Sequence, residues 1–298
     1  MNNSEAQDPL DKGNEKMETT TPSSLSSVAA NAAAKKKPGS GALGVGLEAR
    51  GIHAWFGDKL VLKDISLDFW SGTVTALIGP SGCGKSTFLR MLAGLEDVSS
   101  GQLSIRPGSD PKKPLNSVVF QEYAIFPWKT VIQNVAFGLQ MRGISEPERL
   151  EVARGWLDRV GLTKFAHHYP HQISGGMKQR VSILRALVND PEVLLMDEPL
   201  GALDAQTRVV LQEELLRIWE QTRKTVVYIT HSLDEAVLLG DRVVLMSAQP
   251  GQILDIYQID LGRPRSIDTM NLPAFSEYRA AIWERLSAEV TRAMEMQN

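Results

Sequence analysis

Three short stretches of this chain carry residue types at spacings that could do chemistry. The first is Gly79-Pro80-Ser81-Gly82-Cys83-Gly84-Lys85-Ser86-Thr87, which follows the apolar run Val74 to Ile78 directly. Its spacing is G-x-x-x-x-G-K-S. Glycines at those places let the backbone fold around phosphate, so that successive N–H groups and a helix N-terminus face negative oxygens. Lys85 can then reach the terminal phosphates, and the Ser86 hydroxyl is placed to coordinate Mg²⁺. This segment is expected to be a nucleotide site.

The second stretch, Val193-Leu194-Leu195-Met196-Asp197-Glu198-Pro199, is an apolar strand that ends in two carboxylates. An acid at the carboxyl end of a buried strand lies at the crevice where sheets of this kind bind ligands. Asp197 would complement Mg²⁺, directly or through water. Glu198, one residue on, could orient or deprotonate a water aimed at a γ-phosphate. The third stretch is Ile173-Ser174-Gly175-Gly176-Met177-Lys178-Gln179-Arg180, ahead of a strongly helical segment. Ser174 can cap that helix, and the two glycines expose backbone amides, which makes a second anion cradle. One γ-phosphate is not easily held by two remote cradles of one chain. The natural resolution is that the second cradle serves a neighbouring subunit's nucleotide.

Elements able to position these groups are legible in the pattern. Ile65, Leu67 and Phe69 alternate with Ser66 and Asp68, the period of a half-buried antiparallel strand. Short buried-strand candidates are Val74 to Ile78, Val118 to Phe120, Val193 to Met196, Val226 to Ile229 and Val243 to Met246. Helical stretches lie between them: Lys85 to Ala93, Val131 to Met141, Pro147 to Val160, Gly176 to Val188 and Ala205 to Gln221. Strands alternating with helices imply an α/β fold with a mostly parallel sheet covered on both faces. The long helical interval from Val131 to Val188 reads as a separate α-helical lobe inserted into that sheet.

Composition marks the boundaries. Residues 1–46 hold no aromatic side chain and are rich in Ser, Thr, Asn, Ala, Gly, Pro and Lys, so they are expected to be a disordered extension. The folded nucleotide-binding domain is expected over 47–252, with its helical lobe at about 122–190, and a helical tail over 253–298. In that tail Phe275, Tyr278, Ile282 and Leu286 form one helical stripe. With 32 Lys plus Arg against 35 Asp plus Glu, the net charge of −3 offers no field suited to nucleic acid. No apolar run approaches the roughly 18 residues of a bilayer span, so a membrane role has to come through a partner. The lone Cys83 excludes an internal disulfide and fits a reducing compartment. His167, His168 and His171 cluster without a cysteine or carboxylate to complete a metal set.

Taken in order, these motifs resemble the ATP-binding subunits of ABC transporters over about Leu47 to Gln252. The resemblance implies a P-loop NTPase of ABC type, whose parallel core carries an antiparallel β subdomain and an inserted helical lobe. Ser174 to Met177 is similar to the family's signature, usually written LSGGQ, with Ile173 for Leu and Met177 for Gln. Gln121 matches the glutamine that contacts Mg²⁺ or the attacking water. Gly201-Ala202-Leu203-Asp204 resembles the loop that meets the opposite subunit, and Asp204 can also cap the following helix. His231 matches the switch histidine at the γ-phosphate. Phe56 occupies the aromatic place that stacks on adenine, with Trp55 beside it, and either ring could instead be core.

What the resemblance implies is an ATP- and Mg²⁺-dependent ATPase in which Glu198, His231 and Gln121 are catalytic. Lys85, the loop Gly79 to Thr87, Phe56, Asp204 and Ser174 to Met177 would hold nucleotide, and Ser86, Gln121 and Asp197 would hold the metal. Its partners would be a second copy of the chain, integral membrane permease subunits and, indirectly, a solute-binding protein. It would sit peripherally on the cytoplasmic face of the plasma membrane. The apolar run Gln121 to Trp128 either receives the permease's coupling helix or packs inside the helical lobe. Tyr169 to Met177, Phe126-Pro127-Trp128 and Gly262-Arg263-Pro264-Arg265 resemble the nitrate, sulfonate and taurine importers. The alternatives are a non-transport ABC ATPase in regulation or assembly, and a soluble P-loop small-molecule kinase.

Overall fold

The structure, a computed structural model, describes residues 44–108 and 110–295. In chain order the elements are β1 (Val45–Phe56), β2 (Lys59–Trp70), β3 (Val74–Ile78), α1 (Lys85–Leu92), β4 (Ser100–Ile105), β5 (Asn116–Val119), α2 (Val131–Val135), α3 (Phe137–Met141) and α4 (Glu146–Arg159). There follow α5 (Gly175–Val188), β6 (Val193–Asp197), α6 (Ala205–Thr222), β7 (Thr225–Ile229), α7 (Leu233–Leu239), β8 (Arg242–Met246), β9 (Ile253–Gln258) and α8 (Pro273–Glu295).

The strands make two sheets. One is antiparallel, in the order β2-β1-β4. The other runs β5-β6-β7-β3-β8-β9 and is parallel throughout except at β9, which pairs antiparallel with β8. Every residue of β3, β6, β7 and β8 is buried, which explains why these strands read as continuous apolar runs rather than alternating ones.

Alternate side chains of these strands feed two cores. Leu77, Val193, Leu195, Val227, Ile229, Val244 and Met246 meet α1 and the inner face of the antiparallel sheet, where Ile52, Ile65, Leu67 and Phe69 point. Leu194, Met196, Val226, Tyr228, Val243 and Leu245 face the other way, onto α2, α4 to α7 and α8. The helical interval is inserted between β5 and β6, and its apolar face continues the second core of the sheet.

Three boundaries differ from expectation. Strand β1 starts at Val45, inside the stretch read as disordered, because its first residues ladder with β2 and β4; residues 1–43 of that extension lie outside the described residues. The segment Val131 to Met141 is two short helices meeting at Ala136, not one. Ile253 to Gln258, assigned to the tail, is the edge strand of the main sheet. Only α8 is a true tail helix, and it buries Phe275, Ile282 and Leu286 of the expected stripe. Among the described residues no helix is long and apolar enough to cross a membrane.

Candidate functional site

The phosphate-loop residues lie in the turn between β3 and α1. Gly84 caps α1 with φ 103°, and a Cβ there would stand 2.7 Å from Leu62 Cδ2, so both backbone and packing demand glycine. No side chain caps this helix end, which leaves first-turn amides open to an anion. The Lys85 side chain is buried, and its ammonium donates 2.9 Å hydrogen bonds to the carbonyls of Gly79 and Pro80. The loop thus closes around a positive charge. Ser81 and Gly82 are exposed, whereas Cys83 is buried; burial pushes its thiol pKa up, so the helix N-terminus does not make a reactive thiolate here.

Two carboxylates face this loop from the end of β6. The Ser86 hydroxyl donates to Asp197 Oδ1 at 3.0 Å. Asp197 is only 7% exposed, and burial pushes its carboxyl above the ordinary range, against the pull of the Ser86 bond. A buried acid held against a hydroxyl at a helix start is a donor set that fits a hard divalent cation, whose charge would favour the ionised carboxylate. Glu198 has φ 46°, a left-handed conformation that costs on the order of 1 kcal/mol for a non-glycine residue. That turn carries its side chain away from the sheet, towards His231 and Gln121.

Those two residues come from neighbouring strands. His231 follows β7 and places Nε2 2.6 Å from Glu198 Oε1. Gln121 follows β5, and its Nε2 is 3.4 Å from Glu198 Oε2. Since β5, β6 and β7 are adjacent and parallel, their carboxyl ends deliver the three side chains to one spot, with β3 and its loop next to β7. This is the crevice position expected for a ligand site in a parallel sheet.

The signature-like segment lies elsewhere. The Ser174 side chain accepts the Met177 N–H at 3.3 Å and caps α5. Cβ atoms at Gly175 and Gly176 would come within 2.9 Å of Tyr123 Oη and 2.5 Å of Thr207 Cγ2, so these glycines allow close approach to neighbouring segments of the same chain. Met177 packs partly buried against the core. Asp204 accepts the Thr207 N–H at 2.9 Å and caps α6, and these backbone bonds draw its carboxyl below the ordinary range. The Gly201 amide donates to the Glu198 carbonyl at 3.0 Å, which hangs the 201–204 turn directly from the glutamate.

Trp55 and Phe56 are each 50% exposed at the end of the β1–β2 hairpin, which removes the core alternative for both. The run Gln121 to Trp128 is divided. Phe126 packs tilted against Phe137 with ring centroids 4.5 Å apart, and Asn134 ties down its backbone through both N–H and C=O, whereas Trp128 is 70% exposed. The histidine rings are engaged locally, His171 stacking on Tyr169 and His168 meeting Phe165 edge-on.

Two contacts escape a motif reading. Arg185 of α5 donates to the Ala124 carbonyl at 2.6 Å, fastening the signature helix to the segment after Gln121. Glu235 of α7 is buried and accepts the hydroxyl of Thr230, the residue before His231. Its one sequence signal is the Asp234-Glu235 pair in the first turn of a helix that begins just after His231.

The pattern of the ABC transporter family matches residues 62–201. The taurine import ATP-binding protein TauB of Yersinia pestis bv. Antiqua is 45% identical over 219 residues, covering 73% of this chain and 86% of that protein. The chain belongs to the ABC transporter ATPase family. Another member, the aliphatic sulfonates import ATP-binding protein SsuB of Bacillus cereus, is 43% identical over 231 residues, 77% of this chain and 89% of its own. Among solved structures, the dimeric bacterial ABC transporter cassette MJ0796 is similar with a TM-score of 0.62 and 29% identity, over 72% of this chain and 100% of that one. The same cassette has been solved in a post-hydrolysis state with ADP and Pi. The present chain is an ATP-binding ATPase with the ABC fold.

Proposed function

We propose that this ABC ATPase powers an importer for a small sulfonate or related anion such as taurine or nitrate, docking peripherally on integral membrane permease subunits that are fed by a solute-binding protein. The observation that carries the proposal is the convergence of Gln121, Glu198 and His231 beside the buried Lys85 loop, in a chain 43–45% identical to two sulfonate-type import ATPases.

In this reading Lys85, the loop Gly79 to Thr87 and the α1 amides neutralise the phosphates, and a ring of the Trp55-Phe56 pair stacks on adenine. Bound Mg²⁺, held by Ser86, Asp197 and Gln121, would supply charge neutralisation to the β- and γ-phosphates. Glu198 takes the proton of the attacking water, and His231, within hydrogen-bond reach of Glu198, meets the γ-phosphate. Ser174 to Met177, whose glycines abut Tyr123 and Thr207 rather than the phosphate loop, act on the nucleotide of a second copy, with Asp204 beside that interface. Two copies then clamp two nucleotides, and loss of the γ-phosphate releases them. Exposed Trp128, packed against Phe126 in the segment that follows Gln121, is the surface offered to the permease.

The test is assembly. With saturating MgATP, the Glu198→Gln chain is expected to elute as a dimer and to co-purify with a multi-span membrane protein. A chain that stays monomeric with nucleotide, permease present or not, would overturn the reading.

A further inference from the structure

A carboxylate outside the nucleotide site has more polar partners than its burial alone would require. Glu235 is 4% exposed on the first turn of α7. Its Oε2 accepts the Thr230 hydroxyl at 2.7 Å and the Tyr228 hydroxyl at 3.0 Å. Its Oε1 accepts Gln212 Nε2 at 3.4 Å and lies 3.9 Å from Arg208 Nε. Burial and the neighbouring Glu235 push the Tyr228 phenol pKa well up, so that hydroxyl stays a donor.

The geometry fixes the strand end that holds His231. Because Thr230 Oγ1 donates to Glu235, its lone pairs turn outward, and it accepts the Ser232 N–H at 2.9 Å. Ser232 in turn caps α7 by accepting the Glu235 N–H at 3.2 Å. Residues 230 and 232 are thereby closed into one ring of hydrogen bonds, with His231 as the outward vertex. The other carboxylate oxygen reaches α6, where Arg208 also donates to the Leu203 carbonyl in the turn before Asp204.

We infer that Glu235 is a positioning residue for ATP hydrolysis: through Thr230 it holds the His231 imidazole at Glu198, and through Gln212 and Arg208 it ties that imidazole to the loop ending at Asp204. The inference rests on the proposed role of His231. Burying a carboxylate is costly unless donors compensate it, so three hydrogen-bond donors and the Arg208 ion pair, drawn from the β7 end and α6, mark a placed group rather than a chance packing partner.

The experiment is a double-mutant cycle on the full chain, read as kcat and KM for MgATP by single-turnover and steady-state assays. Glu235→Gln is expected to lower kcat about 10-fold with KM changed less than about twofold, and to cost less than about twofold when His231 is already Ala. Thr230→Val, which keeps the shape and removes the hydroxyl, is expected to give the same loss and the same non-additivity, whereas Thr230→Ser retains the rate. The Thr230 pair keeps the test alive should Glu235→Gln fail to fold. A merely structural role would scale the active fraction equally in both backgrounds, and equal factors there would overturn the inference alone. A full rate in His231→Ala would overturn the proposed function and this inference with it.

Discussion

Glu198 Oε1 and His231 Nε2 stand 2.6 Å apart although the residues come from different strands, and the contact exists because Glu198 leaves β6 in a left-handed turn at φ 46°. An extended residue at that place would continue the alternation of β6 and carry its side chain back along the sheet. The strain is therefore tied to the location of the carboxylate, as is common where backbone outliers meet function.

Glu198→Gln keeps the shape and the turn but removes the proton acceptor. We expect the hydrolysis rate to fall by about 10²- to 10⁴-fold with ATP binding intact, measured as steady-state phosphate release beside equilibrium nucleotide binding. An unchanged rate would exclude Glu198 as the base.

Ser174→Arg places a long cation where the open end of α5 is proposed to meet another copy's nucleotide. The lost cap to the Met177 amide costs about 1 kcal/mol and leaves the fold intact. Turnover is expected to vanish while the isolated chain binds ATP as before. Turnover that persists would mean that the site is complete within one chain.

Both variants concern motifs that were readable at once, because the apolar run into Asp197-Glu198 and the Ser174-Gly175-Gly176 segment ahead of a helix are local patterns. The sheet was legible for the same reason, its strands being continuous apolar runs. What local pattern could not show was who meets whom. The mutual contacts of Gln121, Glu198 and His231 follow from the order β5-β6-β7, which no window of sequence contains. The insertion of the helical interval was legible from its length, whereas the core it shares with the sheet is a matter of packing that no local pattern shows. Edge strand β9 alternates only weakly, and its pairing with β8 is what defines it. Arg263 and Arg265 were readable only as wording shared with relatives, since nothing along the chain tells which carbonyls a guanidinium will collect.

Asp197 gives a pH signature. Its folded pKa is raised by burial, so ionising it opposes folding; stability from the protonated form is present below the unfolded value of about 4 and is lost as pH rises through the folded value. Asp197→Asn keeps an oxygen for the Ser86 hydroxyl and lacks that loss. Without nucleotide, its melting temperature relative to the unmodified chain is expected to climb as the pH is raised from about 4 to neutrality. With MgATP the order reverses, because only the carboxylate gains from the cation. A difference that is flat with pH in thermal melts would show that burial does not control this carboxyl.

Arg265 is the last structural determinant with a measurable consequence. Its buried guanidinium donates to the carbonyls of Val237, Leu238 and Gly240 at the end of α7, and to those of Ile259 and Leu261 after β9. Burial pulls its pKa down to about 10, which still leaves it protonated at neutral pH. The planar fork is what lets one side chain satisfy carbonyls from two segments; an ammonium has fewer donors and no fork. Arg265→Met should therefore orphan buried acceptors and cost roughly 3 kcal/mol or more, a fall of about 6–12 °C in melting temperature for a chain of this size. Arg265→Lys should recover only part of that loss. Because α7 begins beside His231 at its other end, the Met variant should also lower ATP turnover at temperatures where it remains folded. A melt unchanged by Arg265→Met would show that water serves those carbonyls equally well.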